Sequence, residues 1–308
     1  MHRVIDITVP SNRGEQLIAA LNQLEGVVGL TWQHGASIKP VGDVVTVHAL
    51  NRATDDVMRA VATIGGDTPF TVVTAEVASI SDPENQKQID ADVDEAIWEE
   101  LETGLRHQGR LTANFLLLMA LGGVIGAAGA FTEPAIAAVA YVASAIIAPG
   151  FEPLAKLPLG IVLRRAEVAR AGMLATLTGY AVLAAAAGAT WLLLSNFGGV
   201  QSSAFLEGDV LKHTIHPSPE LLTIALAGAF AGVLIQASYR RSVIAGALVA
   251  MRLIEAASVA GIALAMGRLD LAAASGVRLA VDAGFVLVAG VIVFGLKQLI
   301  VHRRAPLH

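Results

Sequence analysis

The chain has 308 residues, 55% of them hydrophobic and only 15% charged, with a net charge of −5 and a mean hydropathy of +0.63. An ordinary soluble domain carries roughly 25% charged residues, so that class is excluded for the chain as a whole. There are no cysteines, which excludes disulfides, thiol nucleophiles and thiolate metal sites. Charged and apolar residues are also segregated. Residues 1–110 hold much of the charge and 111–301 are mostly Ala, Leu, Val, Ile and Gly, so a soluble domain followed by a polytopic membrane domain is predicted. No basic stretch followed by a short apolar run opens the chain, so no cleaved signal peptide is expected. The first membrane helix is then the insertion signal.

Residues 3–10 alternate apolar and polar positions, the period of a half-buried strand. Ser11 and Asn12 are candidate caps for a helix of about 12 residues with Leu17, Ile18, Leu21 and Leu24 on one face. Strands are predicted over 27–34, 43–50 and 69–80. A second helix, capped by Asn51 or Thr54, ends at Gly65–Gly66. The order βαββαβ predicts a ferredoxin-like fold, two helices on one antiparallel sheet, over 1–80. Strand 43–50 has no aromatics for base stacking, so no nucleic-acid partner is expected. A folding and oligomerisation module is the plain alternative to a ligand-binding one. Residues 81–110 read as an acidic amphipathic linker helix, with Ile89, Val93, Ile97, Trp98, Leu101 and Leu105 at helical spacing. Arg106, His107 and Arg110 then mark the membrane edge.

A bilayer core about 30 Å thick takes roughly 20 helical residues. Six spans are predicted, at 111–131, 134–163, 168–194, 219–238, 242–267 and 270–296. Arg106, Arg110, Arg164, Arg165, Arg170, Arg240, Arg241, Lys297, Arg303 and Arg304 all fall at one set of span ends; only Lys212 and Arg268 fall at the other. By the positive-inside rule both termini are cytoplasmic, in the cell (inner) membrane. The halves 111–194 and 219–296 echo each other. Gly122-x-x-x-Gly126 answers to Gly228-x-x-x-Gly232, and Glu152 to Glu255. Three spans per half makes this a 3+3 inverted repeat, an architecture that joins interrupted helices near the midplane.

The stretch from Ala148 to Pro158 places Pro149, Gly150, Glu152, Pro153 and Lys156 inside a span. Proline removes a backbone donor and clashes with the carbonyl four residues back, which predicts a break. At membrane depth the freed groups are tolerated only in protein or beside water. Six charged residues lie well within the predicted spans, away from their ends, as Glu152/Lys156, Arg252/Glu255 and Arg278/Asp282, at spacings that share a helix face. Two readings stay open. The pairs are structural ties between helices, or they line a polar cavity in which Glu152 and Glu255 coordinate an ion or accept a proton, with Lys156, Arg252 and Asp282 beside them. The charge of the substrate is not fixed by these residues. His213 and His216, in outer loop 195–218, read as solvated, and no metal or cofactor is expected. No His-Glu-x-x-His or Gly-x-Ser-x-Gly is present, so no enzyme is expected.

Ile147-Ala148-Pro149 with Pro153, and later Ala260-Gly261-Ile262, resemble the pattern of the bacterial and archaeal hydrophobic domain of unknown function 389 (DUF389). The resemblance implies a ferredoxin-like amino-terminal region, a linker and a membrane domain. The chain departs from the pattern at Glu152, where a small residue is usual, and at Glu255-Ala256, where a double proline is usual. Together these features predict a transporter or channel for a small solute or ion, as a homo-oligomer in the lipid bilayer. A non-transporting membrane sensor or scaffold is the alternative.

Overall fold

A computed structural model describes residues 2–66, 68–93, 95–238, 243–303 and 306, with the backbone alone along 243–249. Arg240, Arg241 and Arg304 lie outside the described residues. The chain divides into two compact units, one of 1–101 with 297–308 and the other of 102–296.

In the first unit, strands β1 (Arg3–Val9), β2 (Val27–Ile38), β3 (Val41–Ala49) and β4 (Thr71–Glu76) form one antiparallel sheet in the order β2-β3-β1-β4. Helices α1 (Ser11–Leu21) and α2 (Thr54–Gly65) alternate with the strands at the predicted places. Alternation in β1 puts Ile5, Ile7 and Val9 on the buried face against Leu17, Leu21, Val57 and Val61. Gly66 ends α2 with a positive φ of 53°, a conformation that suits glycine.

The predicted caps do other work. Neither α1 nor α2 has a side-chain cap. Ser11 donates to Asp43, and the Asn51 amide donates to the carbonyls of Val93 and Glu95. The linker is not one helix either: α3 (Gln86–Asp90) and α4 (Trp98–Gln108) are separate. The carbonyls that Asn51 binds hold the non-helical segment between them. The C-terminal residues fold back into this unit, where Trp98 Nε1 donates to the His302 carbonyl at 3.1 Å and His302 Nδ1 lies 3.0 Å from Asp55.

Asp43 is fully buried. Its carboxylate accepts from Ser11, from Trp32 Nε1 at 2.9 Å and from the Gly35 amide at 2.9 Å, with His34 Nδ1 3.3 Å away. Burial alone would push this carboxyl up. The bonds from Ser11, Gly35 and Trp32 and the His34 ring outweigh it and hold it below the ordinary value of 3.8.

The second unit is helical. After the end of α4 come α5 (Ala113–Gly129), α6 (Pro134–Ile147), α7 (Phe151–Val162), α8 (Ala166–Phe197), α9 (Ser202–Leu206), α10 (Asp209–Ile215), α11 (Pro219–Ala237), α12 (Val243–Ala265) and α13 (Leu269–Ile300), whose last turn joins the first unit. Among the described residues α8, α11 and α13 are long and apolar enough to cross a membrane. Two bent pairs, α4 with α5 (69°) and α6 with α7 (57°), bring the number to five if each is one span. Their outer faces carry exposed Leu117, Ile136, Leu174, Ile224, Val277 and Leu299. Large outward apolar faces of this kind are those of a membrane protein.

Segment 195–218 is not an open loop. Phe205 of α9 and Leu211 of α10 are buried against Trp191 and Ile262. Small residues set the helix spacing around α8. A Cβ on Gly123 would lie 2.2 Å from the Leu183 carbonyl oxygen, and one on Gly261 would lie 1.9 Å from that of Ala184. In the paired glycine motifs, Gly122 and Gly126 meet Ala148 and Ser258, whereas Gly228 faces open space. The two halves therefore do not use the motif alike.

Two outcomes are expected. Gly261→Ala pushes α8 from α12 and lowers the stability of the detergent-purified protein by about 1–3 kcal/mol, whereas Gly228→Ala causes no loss, as thermal unfolding will read. The Asp43 proton affinity is lower in the folded state, so its contribution is present above the ordinary carboxylate range and is lost as pH falls through the native value. Amide protection factors in β2 and β3, corrected for the intrinsic pH dependence of exchange, should fall on acidification, and Asp43→Asn should flatten that dependence.

Candidate functional site

The predicted break is present between α6 and α7. Ala148 is extended, its amide bonded to the Ser144 carbonyl at 2.8 Å, and the Gly150 amide closes onto the Ala148 carbonyl at 2.8 Å. Pro149 lies between them and α7 starts at Phe151. Pro153 has a different place from the one expected. It sits in the first turn of α7, where its missing N–H would have had no intrahelical partner, so it starts a helix instead of breaking one. Pro158 is the proline inside α7, and it is seated on Gly290 of α13.

The matching interruption that a 3+3 repeat of broken helices implies for the second half is absent. Helix α12 is continuous from Val243 to Ala265 and Glu255 lies within it. The reason is in the sequence: Glu255-Ala256 stand where the resemblance places a double proline, and both are ordinary helix formers.

Two of the three predicted pairs form. Arg252 Nη1 lies 2.8 Å from Glu255, whose other oxygen accepts from Thr214 at 3.1 Å. Arg278 grips Asp282 with two contacts, at 2.8 and 2.9 Å. The third pair does not form among the described residues. Lys156, 4% exposed, donates to the Gly109 carbonyl at 2.7 Å. That carbonyl follows the last turn of α4, the negative end of a helix, and holds the ammonium there instead of at Glu152.

Among the described residues Glu152 thus has no basic group in contact, although Lys156 acts on it at a distance, and its Oε2 is buried with no hydrogen bond. The hydroxyl of Tyr180, on α8, is likewise buried without a partner. It stands at the break: a Cβ on Gly150 would lie 2.5 Å from it. Tyr180 is within electrostatic reach of both Glu152 and Asp282, and Asp282 of Arg252 and Glu255. The charges of α12 and α13 therefore act on one another, and Glu152 of α7 and Asp282 of α13 both reach Tyr180.

A small recess open to solvent is lined by His213, Thr214, Arg252, Glu255 and Arg278, and Glu152 is not part of its lining. Thr214, Tyr141, Tyr180 and Ser258 are the polar residues that the sequence reading missed. Their signal was a hydroxyl or phenol within an apolar stretch or an assumed loop. Such a group, once buried, must find a partner. No group of three or more potential metal ligands occurs among the described residues.

Residues 145–288 match the model of the family described as Domain of unknown function (DUF389). The match lies on the family that the sequence resembles, and it spans α7, α8, α11 and α12 with most of α13. No curated protein matches the chain, and no solved structure does.

Proposed function

For a chain whose 145–288 segment carries the DUF389 pattern, we propose a membrane transporter or channel for a small solute or ion, with its site at the α6–α7 break. The observation that carries this reading is a group of buried polar atoms with no hydrogen-bond partner among the described residues, including Tyr141 Oη, Glu152 Oε2, Tyr180 Oη, Arg252 Nε, Ser258 Oγ and Arg278 Nη1. They come from five helices. Helix packing alone does not keep such groups, because each costs about 1–3 kcal/mol unless something meets it. Water, an ion or a solute in passage does so.

The scaffold reading draws support from the Arg252–Glu255 and Arg278–Asp282 pairs. A buried pair of this kind is weak support for any role beyond holding helices in register. It leaves Glu152 unexplained. The amino-terminal unit, with its βαββαβ order and β2-β3-β1-β4 sheet, supports a ferredoxin-like module attached to the membrane unit. The six-span, inverted-repeat layout draws on α5, the α6–α7 pair, α8, α11, α12 and α13, which fall on the six predicted ranges. The lack of a second break weakens the repeat in its strict form. The placement proposed is the inner membrane, as a homo-oligomer, with both termini cytoplasmic; it is supported by the arginines at one set of helix ends.

In proteoliposomes under imposed gradients of Na⁺, K⁺, Cl⁻ or H⁺, the protein should carry flux, and Glu152→Gln should abolish most of it. An absence of flux under every gradient would leave the scaffold. Single cysteines in this cysteine-free chain give the topology: positions in 195–218 should label from outside and those at 164–165 from inside. Labelling of both from one side would end the proposed arrangement.

A further inference from the structure

We propose that Glu152 is the proton-binding carboxyl of the membrane unit, with the Tyr180 hydroxyl as its partner across the α6–α7 break. This deepens the transport reading above, on which its role as a coupling group rests. The other acids at the core of the unit are already tied: Glu255 to Arg252 and Thr214, Asp282 to Arg278, and Glu102 to Arg106 and Arg165. Among the described residues Glu152 alone of these acids has a buried oxygen with no donor and no cation in contact, Lys156 acting on it only at a distance.

An ionised carboxylate so placed is costly away from water. A proton removes the charge and turns the carboxyl into a donor. Tyr180 suits both states. Among the described residues neither its hydroxyl nor Glu152 Oε2 has a hydrogen-bond partner, but on closer approach the Tyr180 oxygen would accept from the protonated carboxyl and its O–H would donate to the ionised one. The hydroxyl is within electrostatic reach of Glu152. Gly150 permits its approach, since any side chain there would occupy its place.

The charged neighbours do not supply a substitute partner. On α7, Lys156 is held by the Gly109 carbonyl. Arg106, which acts on Lys156, is paired with Glu102. From α13, Asp282 acts on Tyr180 but is itself gripped by Arg278. An anion is disfavoured at this point because Glu152 already sets a negative group in the first turn of α7. A metal ion would need several ligands, and a single carboxylate with a phenol does not provide them. A proton needs one acceptor.

Dicyclohexylcarbodiimide reacts with protonated carboxyls in apolar surroundings. The carboxyl proton passes to a carbodiimide nitrogen while the carboxylate oxygen adds to the central carbon, and rearrangement leaves a stable N-acylurea. The full-length protein in detergent is treated across a pH series and mapped by mass spectrometry. The expected result is an adduct at Glu152 that declines as pH rises, with Glu255 and Asp282 unlabelled. Tyr180→Phe should displace the pH at which labelling is half lost, and Thr176→Val, which removes another buried hydroxyl one turn away on α8, should leave it in place. The proposal is overturned if Glu152 stays unlabelled at every pH while other sites react, if its labelling ignores pH, or if Glu255 or Asp282 is labelled in preference. The wild-type map alone decides this should a variant fail to fold. Labelling without flux removes the transport reading and keeps the proton site; flux without labelling does the reverse.

Discussion

Within a bilayer every backbone N–H and C=O needs an internal partner, and Pro149 makes that impossible for one unbroken helix. The neighbourhood of the break is arranged around this single constraint. The chain extends at Ala148, turns tightly through Gly150 and restarts as α7. Ser144, in the last turn of α6, donates across to the Gly122 carbonyl at 2.7 Å, pinning α6 to α5 on the near side of the break. Lys156 pins α7 to the end of α4 on the far side. Gly172 of α8, whose Cβ would lie 2.7 Å from the Pro153 carbonyl oxygen, lets a third helix close over the restart. A break in lipid persists only when it is walled in by protein, and here the wall is made of small residues and directed hydrogen bonds.

The second half of the membrane unit solves a different problem. Helix α12 is unbroken, so its backbone needs no rescue, and its charges are instead satisfied by side chains. Glu255 takes Arg252 from its own helix and Thr214 from α10, which explains why segment 195–218 folds inward instead of lying in solvent. Close approach of α12 to α8 at Gly261 then completes the packing. The two halves share a helix order but differ in how they place charge. One has a free acid at a break and the other a tied acid in a rod.

Much of this was legible in the sequence because it follows from short-range rules. Alternation in 3–10, the Gly65–Gly66 stop and the run of apolar stretches each map onto one element with one period. The break was legible because Pro149 acts on its own backbone. What the sequence hid is pairing at a distance. Lys156 stands four residues from Glu152, yet its partner is a carbonyl 47 positions away, and spacing cannot reveal a carbonyl. Ser11 and Asn51 have good cap chemistry, but longer-range acceptors claim them. The continuity of α12 was overlooked for another reason. Resemblance between halves was carried across from position to position, although Glu255-Ala256 lacks the proline that causes a break.

This sorting of partners moves the functional weight within the predicted set. Spacing alone sets the six charges well within the spans into three similar pairs. Burial of a charge is tolerated when it is paired and strongly opposed when it is not, and the difference between those cases is several kcal/mol. Arg252, Glu255, Arg278 and Asp282 fall on the tolerated side, Lys156 is met by a helix-end carbonyl, and Glu152 stands alone. A cost left standing at one position, beside the break between α6 and α7, has no structural return. The proton site proposed above accounts for it, because a proton taken up there removes the charge that burial opposes.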